Sequence, residues 1–258
     1  MTGAALVLHQ FRYDQKAFWR NPASLFFTVS LPVIFLLIFA TIFGSEETEI
    51  NGGLVETTTY YVPAIITLAV ISAALVSLAF SLVVARENGV LKRGRGTPMP
   101  SWVFIAGRVG NAIVVSLLML MLLTMIGRIA YGVEIPFERL PAVLVTLTIG
   151  AAAFCCMGVA LTAVIPSVDA AAPITNATVL PLYFLSGVFI PQEEIPQAVL
   201  DFSSIFPIRH FFEAFFTAYD PQTAGAGFEW GHLAIVVAWG ALALALGVRF
   251  FRWTPREG

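Results

Sequence analysis

Residues 82–100 read LVVARENGVLKRGRGTPMP, and they join the end of an apolar run to a basic loop punctuated by glycine and proline. Lys92, Arg93 and Arg95 lie within about ten residues of the apolar run, and such clusters are retained on the cytoplasmic side of a bilayer. We therefore expect this loop to face the cytosol. It is the longest cytosolic segment between apolar runs, so a soluble partner that drives the protein would dock here.

The composition is that of a membrane protein with several spans. Hydrophobic residues make up 58% of the 258-residue chain, charged residues make up 12%, and the mean hydropathy is +0.85. Soluble domains carry roughly 25% charged residues. Apolar runs of about 20 residues, the length needed to cross a bilayer, use up nearly the whole chain. No room is left for a soluble catalytic domain.

The apolar runs predict an all-α membrane protein with a single transmembrane domain of six spans. The spans are expected at 25–43, 61–85, 109–131, 140–165, 173–190 and 232–251. Pro32 should kink the first span, and Pro181 interrupts the fifth. About twenty residues precede the first run and no small-residue cleavage site follows it, so we expect the first span to remain as an anchor.

The distribution of charge orients these spans. The predicted cytosolic segments hold 11 of the 14 lysines and arginines, and the predicted outer segments hold 12 of the 16 aspartates and glutamates. Six spans with both termini in the cytosol agree with the positive-inside rule. The inner loop 166–172 carries no positive charge. Its placement in the cytosol therefore rests only on the number of spans before it and on its short length.

The N-terminal segment 4–20 has the pattern of an amphipathic helix that lies on the membrane surface. Apolar residues lie on one side of this helix. The opposite stripe holds His9, Arg12, Lys16 and Arg20. Asp14 falls on the apolar side, against the pattern. A disordered basic tail is the alternative interpretation.

The segment 192–219, between the fifth and sixth spans, is too short and too charged to cross the bilayer. Its two amphipathic pieces, 195–206 and 208–219, are separated by Pro207. We expect them to form a re-entrant helical hairpin on the outer side, because backbone breaks at membrane depth are tolerated where protein buries them.

Residue patterns that carry catalysis or metal binding were sought and not found in the sequence. It has no G-x-x-x-x-G-K-[ST] phosphate loop, no H-E-x-x-H, no Cys/His set at metal spacing and no G-x-S-x-G turn. We therefore expect no nucleotide hydrolysis and no catalytic residue. His9, His210 and His232 are far apart in sequence and fall on different sides of the predicted topology, so no metal site is expected. Cys155 and Cys156 are interpreted as small apolar residues of a span.

The centres of the six apolar runs carry no charged residue, whereas ion and proton pathways normally do. Arg128 lies near the outer end of the third span, where its head group can reach the interface. The sequence also has no recognisable inverted repeat of the kind that many secondary transporters show. A carrier coupled to ions or protons is therefore disfavoured, and the energy for transport must come from elsewhere.

Two stretches resemble the permease subunit of type-2 ATP-binding-cassette transporters, which include exporters of drugs, lipids, O-antigen and teichoic acid. Residues 86–93 (RENGVLKR) with 97–100 (TPMP) are similar to the family's R-E-x-G-x-L-x-x-L/R and T-P-x-x pattern. Residues 180–191 (LPLYFLSGVFIP), followed by Pro196 and Pro207, are similar to the family's L-S-G-x-x-x-P segment with its later prolines. With six spans and the N-terminal helix, the resemblance covers nearly the whole chain.

The resemblance implies a half-transporter of the bacterial cytoplasmic membrane that pairs with a second permease, usually identical. Two copies of a separate ATPase subunit would bind ATP and Mg²⁺, so no cofactor is expected in this chain, and nucleic acid is not an implied partner. The loop 86–100 would be the coupling helix, and the helix 4–20 would be the elbow helix beside it. The implied coupling residues are Arg86, Glu87, Gly89, Lys92, Arg93 and Arg95. The implied elbow residues are Arg12, Lys16 and Arg20.

By the same resemblance, a substrate path would lie near spans one, two and five, with the outer hairpin as its gate. Its expected residues are Phe35, Phe39, Phe80, Phe184, Ser186, Gly187, Pro191 and Pro207. A path lined by Phe, Leu and Val suits a lipophilic or amphipathic cargo, such as a drug, lipid or glycolipid. A lipid-linked polysaccharide exporter and a membrane assembly protein without transport activity remain the alternatives. An intramembrane enzyme is disfavoured, because no acid/base pair is found.

Glu87 has an expected role of its own. Acidic residues contribute little to membrane orientation, so its place where the span meets the loop indicates a local function. We expect Glu87 to accept hydrogen bonds from the N-terminal amides of the coupling helix, or to pair with a basic residue of the ATPase or the elbow helix. The basic residues that follow it are explained equally well as orientation signals.

Overall fold

The computed structural model describes residues 3–43, 47–50, 53–96, 100–190, 195–251 and 254. These residues are helical apart from loops and one short antiparallel hairpin, in which β1 (Glu47–Ile50) pairs with β2 (Gly53–Glu56). The hairpin lies in the loop that the sequence places outside the membrane. It was not predicted.

The helices follow one another with short connections. They are α1 (Gly3–Trp19), α2 (Pro22–Leu25), α3 (Leu31–Phe43), α4 (Thr57–Ile71), α5 (Ser77–Glu87), α6 (Val90–Arg95), α7 (Ser101–Tyr131), α8 (Leu140–Leu161), α9 (Val168–Leu185), α10 (Gln197–Ser203), α11 (Pro207–Tyr219) and α12 (Trp230–Phe250). Two π-helical segments, Phe26–Ser30 and Ser72–Val76, continue α2 into α3 and α4 into α5. A 3-10 turn, Phe137–Arg139, leads into α8.

Five of the described helical stretches are long and apolar enough to cross a membrane. They are Phe26–Phe43, Thr57–Glu87, Trp102–Tyr131, Phe137–Leu161 and Trp230–Phe250. The chain is thus a multi-pass membrane protein. The predicted fifth span corresponds to α9, which is not among the five. Its 18 residues include Asp169, Asn176 and two prolines, so it is less apolar than the others.

Two helices begin earlier than the hydropathy of the chain predicts. α7 starts at Ser101, directly after a proline that needs no N–H partner, and not at the predicted 109. Arg108 therefore lies on a helix and not in the basic loop. α9 starts at Val168, inside the predicted loop 166–172, because the Oγ of Ser167 accepts a hydrogen bond from the Ala170 amide at 3.3 Å.

The helical ladder of the first span changes where the sequence predicts a kink. Pro32 has no N–H to donate to the carbonyl four residues earlier, so a regular α-helix loses one hydrogen bond there. The π segment Phe26–Ser30 lies directly before this point, and the Leu31 amide donates to the Phe26 carbonyl. The disturbance near Pro32 thus takes the form of a local change in helix type.

α4 and α8 form the centre of the bundle. Almost every residue of α4 is buried, and α8 packs against α12, α7 and α11. A Cβ atom on Gly240 of α12 would lie 2.9 Å from the Cα of Ala153 in α8. Small residues allow this close approach, and packing of this kind holds spans together where lipid supplies no hydrophobic drive. The outward faces of α3, α7 and α12 carry exposed large apolar side chains.

The two ends of the bundle differ in charge. At one end, Arg86 contacts the turn after α8, and Phe251 at the end of α12 lies near Arg108. α1 and α6 lie at this end, which we call the basic end; its cations are Arg12, Lys16, Arg20, Arg86, Lys92, Arg93 and Arg108. The opposite end, with α10 and α11, we call the acidic end; its carboxylates are Glu134, Glu138, Asp201, Glu213, Asp220 and Glu229.

Candidate coupling site at the basic end

α6 is a short helix that turns the side chains of Lys92 and Arg93 away from the bundle. Leu91 is 3% exposed and packs in the core, whereas Lys92 and Arg93 are exposed. Gly89, in the turn before α6, has a φ of 66°, which glycine adopts at no steric cost. Arg95 is the last residue of α6. The helix is therefore anchored through Leu91 and presents Lys92 and Arg93 to solvent or to a partner.

Arg86 is the largest fully buried side chain at this end, with 2% of its surface exposed. Its Nη1 donates to the Thr162 carbonyl at 3.0 Å, and its Nη2 donates to the Ile165 carbonyl at 2.8 Å. Thr162 is the C-cap of α8, where a helix leaves carbonyls without intrahelical partners, and Ile165 lies in the turn that follows. Arg86 thus joins the end of α5, from which α6 continues, to the connection between α8 and α9.

Glu87 pairs with its own neighbour. Its Oε1 accepts from Arg86 Nε at 2.7 Å. A pair this short is a charge-assisted hydrogen bond, and it orients the guanidinium so that its two remaining nitrogens face the carbonyls. The partners expected from sequence were the amides of the coupling helix, the ATPase or the elbow helix. In the structure, Glu87 pairs with Arg86, the residue before it at the end of α5.

α1 lies along α7, with the stripe of Arg12, Lys16 and Arg20 exposed. Its contact with α7 is close at Gly107, where a Cβ would lie 2.6 Å from the Cγ of Gln10. Segment 4–20 is therefore helical, as predicted, and packs on α7, while the side chains of Arg12, Lys16 and Arg20 are exposed.

Asp14, which contradicted the amphipathic pattern of α1, is buried against α7 (5% exposed). Its Oδ1 lies 3.3 Å from Arg108 Nε and accepts from Gln10 Nε2 at 3.0 Å. Arg108 in turn donates to Ser81 Oγ of α5 at 3.3 Å. Burial raises the pKa of the Asp14 carboxyl, and the charge of Arg108 and the Gln10 hydrogen bond act against that rise. One ionic contact thus connects α1 to α7, and one hydrogen bond connects α7 to α5.

A cavity of about 100 Å³ lies beside this ion pair. Its polar lining residues are Asp14, Arg108, Asn111, Ser77, Ser81 and Asn21, and the rest of its wall is apolar. Sequence reasoning missed both Asp14 and Arg108 as members of the site. The sequence does contain a signal for them, namely a carboxylate on an apolar stripe and an arginine at the start of a span. The free-energy cost of burying two such charges is lowest when they pair with each other.

Three of the residues predicted for the substrate path meet around a fourth aromatic residue. Phe35, Phe39 and Phe184 lie with ring centroids 6.0, 5.9 and 4.9 Å from that of Phe189. Phe39 also stacks on Tyr61 at 4.9 Å. The cluster joins α3, α4 and the segment after α9 with no charged residue in it. Phe189 was not predicted, although it lies inside the LSGVFIP motif.

The other predicted path residues are more dispersed. The Gly187 carbonyl, at a φ of 85°, accepts a hydrogen bond from the Tyr60 hydroxyl, and Ser186 Oγ donates to the Tyr183 carbonyl at 3.3 Å. Pro207 is buried at the start of α11. Phe80 lies on α5, with 37% of its surface exposed, away from the aromatic cluster. Pro191 lies outside the described residues.

The expectation that the histidines lie apart is wrong for two of them. His210 Nδ1 and His232 Nδ1 are 2.7 Å apart at the acidic end, where α11 meets the start of α12. The prediction failed because sequence separation does not measure distance once the loop after α11 returns the chain to the same end. His9 lies exposed on α1, at the basic end.

Comparison with known proteins agrees with this architecture. The chain is 21% identical over 234 residues to the Bacillus subtilis (strain 168) protein named "Putative transport permease YvfS", a match that covers 90% of this chain and 91% of that protein. Residues 6–219 match the ABC-2 type transporter family. The matched residues extend from the first turn of α1 to the end of α11, and so include residues 86–100 and the LSGVFIP motif. The chain belongs to the ABC-2 type transporter family.

Proposed function

We propose that this chain is the membrane-spanning permease subunit of an ATP-driven exporter in the bacterial cytoplasmic membrane. It would move a lipophilic or amphipathic substrate, such as a drug, lipid or glycolipid, outward. Hydrolysis would take place in two copies of a separate ATPase subunit, and a second permease, usually identical, would complete the transporter. α9 would be the fifth of six spans and would complete their number, with both termini in the cytosol.

The observation that carries the proposal is the attachment of α6. An exposed basic helix that continues from a span can transmit force only if its base is rigid. Arg86 supplies that rigidity, because one buried guanidinium bonds the end of α5 to the carbonyls of Thr162 and Ile165. A push on Lys92 or Arg93 would therefore move α5 and the connection between α8 and α9 as one unit.

The packing of α1 supports the same interpretation. An elbow helix has to remain fixed to the bundle while its polar face meets the headgroups or the ATPase. The ion pair between Asp14 and Arg108 and the close contact at Gly107 hold α1 on α7. The exposed stripe of Arg12, Lys16 and Arg20 is suited to anionic lipid headgroups.

The aromatic cluster supports a lipophilic or amphipathic cargo. Phe35, Phe39, Phe184 and Phe189 form an uncharged wall beside exposed apolar faces of α3 and α9. Such a surface binds acyl chains and aromatic rings through apolar burial and dispersion. A lipid-linked polysaccharide would place its lipid against the same wall. Transport of a lipid that carries no sugar would therefore distinguish a lipophilic cargo from a lipid-linked polysaccharide.

The test is assembly with a partner ATPase, using the gene adjacent to that of the permease. Co-expressed chains should co-purify, and proteoliposomes should move a fluorescent lipid only with ATP. The double variant Lys92→Glu, Arg93→Glu should lose co-purification and ATP-dependent movement, since it reverses the charge of α6. The control is Arg128→Glu, which reverses the charge of one exposed arginine near the C-terminal end of α7. This variant should retain both co-purification and ATP-dependent movement of the lipid.

Two results would contradict the proposal. Transport by the permease alone in proteoliposomes would show that no ATPase drives it. Stable assembly with the ATPase but no ATP-dependent movement of any lipid, drug or glycolipid would favour the membrane assembly protein.

A further inference from the structure

Three potential metal ligands from two helices meet at the acidic end. His210 Nδ1 lies 2.7 Å from His232 Nδ1, which lies 3.1 Å from Glu213 Oε2. One ligand atom of each residue lies within 4.8 Å of the other two. Two imidazoles and a carboxylate form a recurrent ligand set for Zn²⁺. We propose that His210, Glu213 and His232 bind a divalent transition ion of the Zn²⁺ class, which fastens α11 to α12.

The ligand nitrogen of His210 is already directed at the site. Its other ring nitrogen, Nε2, lies 2.7 Å from the Ser204 carbonyl. A carbonyl can only accept a hydrogen bond, so Nε2 must carry the proton of the neutral ring, and Nδ1 keeps its lone pair. Histidines that ligate metals usually donate their second N–H to a carbonyl or carboxylate in this way, because that bond fixes the tautomer and the ring orientation.

Glu213 is oriented by a second residue. Arg209 Nε donates to Glu213 Oε1 at 2.7 Å and leaves Oε2 directed at His232. The same guanidinium donates to the Leu200 carbonyl and to Ser203 Oγ, so Arg209 is itself fixed to α10. The carboxylate therefore offers one oxygen to the cation and the other to a supporting arginine.

His232 is brought to the site by a fixed loop. Arg139, of which 8% is exposed, donates to the Thr223 carbonyl at 2.8 Å, and Asp220 Oδ1 accepts from the Gln222 amide at 3.0 Å. α12 begins soon after this loop. His210 is 7% exposed and the His232 side chain is 32% exposed, so an ion can enter past His232 from the solvent at the acidic end.

The distances allow an ion after a small adjustment. Zn²⁺ lies about 2.0–2.1 Å from each histidine nitrogen, and tetrahedral angles then hold the two nitrogens about 3.3 Å apart. His210 Nδ1 and His232 Nδ1 would therefore separate by about 0.6 Å from the 2.7 Å seen here. The ion would take the place of the proton that His232 Nδ1 donates to His210 Nδ1, and neutral His232 would then carry its proton on Nε2. Three protein ligands leave a fourth position for water, and imidazoles favour Zn²⁺ over Mg²⁺ or Ca²⁺.

An ion at this position would connect two parts of the bundle. α11 packs on α4, α8 and α12, whereas His232 lies in the first turns of α12. Because the ligands come from both helices, the bound ion would restrict movement of the α10–α11 pair relative to α12. This consequence does not depend on the direction of transport or on the identity of the substrate.

The experiment measures metal binding by the full chain, purified in detergent with a tag that contains no histidine and stripped with EDTA. Co²⁺ serves as the spectroscopic probe, and Zn²⁺ as the competitor. We expect about one tetrahedral Co²⁺ per chain, displaced by Zn²⁺. His210→Ala and His232→Ala should lose the visible spectrum, and Glu213→Gln should weaken binding by at least about tenfold. His9→Ala is the matched control and should bind normally. All variants are made in a Cys156→Ala background, which removes a partly exposed thiol.

Two results would overturn the proposal. One is wild-type protein that gives no tetrahedral Co²⁺ spectrum with the ion in large excess. The other is binding that survives in His210→Ala or His232→Ala. To separate loss of the site from loss of the fold, thermal unfolding is measured with and without Zn²⁺. Zn²⁺ should raise the Tm of wild type and of His9→Ala, but not that of His232→Ala, even where the metal-free Tm values agree.

Discussion

The guanidinium of Arg86 donates to one carboxylate and to backbone carbonyls that follow α8, while only 2% of the side chain is exposed. Arginine suits this position because its planar fork can serve several acceptors at fixed angles, whereas the ammonium of lysine is a compact point charge. The same residue neutralises Glu87 and caps acceptors that α8 leaves unpaired. Arg86 thus has a structural role that orientation of the membrane protein alone would not require.

Replacement of Arg86 should therefore destabilise the protein strongly. Arg86→Ala leaves Glu87 and the carbonyls without their donor, and removing one partner of a buried pair costs about 3–5 kcal/mol. Arg86→Lys should lose less stability, because lysine keeps the positive charge but lacks the planar guanidinium that bonds several acceptors. Thermal unfolding in detergent measures both, with the exposed residue of α6 replaced in Arg93→Lys as the control. A Tm for Arg86→Ala equal to that of the control would contradict the role assigned to this contact.

The ion pair of Asp14 predicts a pH dependence. Burial raises the pKa of Asp14, so the folded state binds more protons than the unfolded chain between about 3.9, the ordinary aspartate pKa, and the raised folded value. The stability due to Asp14 is then complete below this window and is lost as pH rises through the folded pKa. The Tm of wild type minus that of Asp14→Asn should fall as pH rises. A difference that grows with pH would mean that Arg108 outweighs burial.

Residues of this kind mark the limit of what the sequence predicts. Arg86 and Glu87 could be selected because they lie inside a motif. The acceptors of the Arg86 guanidinium could not be predicted, because every residue has a backbone carbonyl and the residue pattern does not distinguish among them. Asp14 was noticed as an exception to its stripe, but only the packing of α1 on α7 identifies Arg108 as its partner. The contact between His210 and His232 was excluded from sequence, and the structure corrects it.

At the scale of elements, α1 and α7 pack closely because Gly107 lacks a side chain. A Cβ there would lie 2.6 Å from Gln10 Cγ and 3.3 Å from Asp14 Oδ2. Such a contact leaves no space for even a methyl group unless the Gln10 side chain or α1 itself moves. The position of the proposed elbow helix is thus set by one backbone contact and one ion pair, and not by the amphipathic pattern alone.

Gly107→Val should displace α1 and stretch the contact between Asp14 and Arg108. Overpacking of this kind costs about 1–3 kcal/mol, and limited proteolysis should cut α1 sooner than in wild type. The matched control is Gly231→Val in the first turn of α12, where no heavy atom lies within 4 Å of an added Cβ. Equal Tm values and equal proteolysis rates for the two variants would show that α1 is not held at Gly107.

Elements were predicted best where hydropathy is continuous. The stretches Phe26–Phe43, Thr57–Glu87 and Trp230–Phe250 fall close to their predicted spans. The start of α7 was predicted too late because Arg108 was assigned to the basic loop, although residues 102–106 (WVFIA) before it are apolar. The start of α9 depends on the Ser167 cap, a local signal that the apolar pattern hides.

At the scale of the whole molecule, the structure separates the cations of α1, α5 and α6 from the carboxylates of the loops near α11. The fold alone does not orient this charge asymmetry across a membrane. The positive-inside rule does, because lysines and arginines close to the ends of spans are retained in the cytosol. The proposed exporter requires the basic end to face the cytosol, where an ATPase with bound ATP can reach α6.

Single cysteines at the two ends test this orientation directly. In a background with Cys155→Ala and Cys156→Ala, we introduce Asp201→Cys on α10 or Lys92→Cys on α6, both at exposed positions. A membrane-impermeant maleimide should label position 201 in intact spheroplasts, and position 92 only after permeabilisation. A third variant, Phe137→Cys, replaces a side chain that is 69% exposed at the acidic end and should react like position 201. If position 92 reacts in intact spheroplasts and positions 137 and 201 do not, the topology is inverted, and α6 cannot be the contact for a cytosolic ATPase.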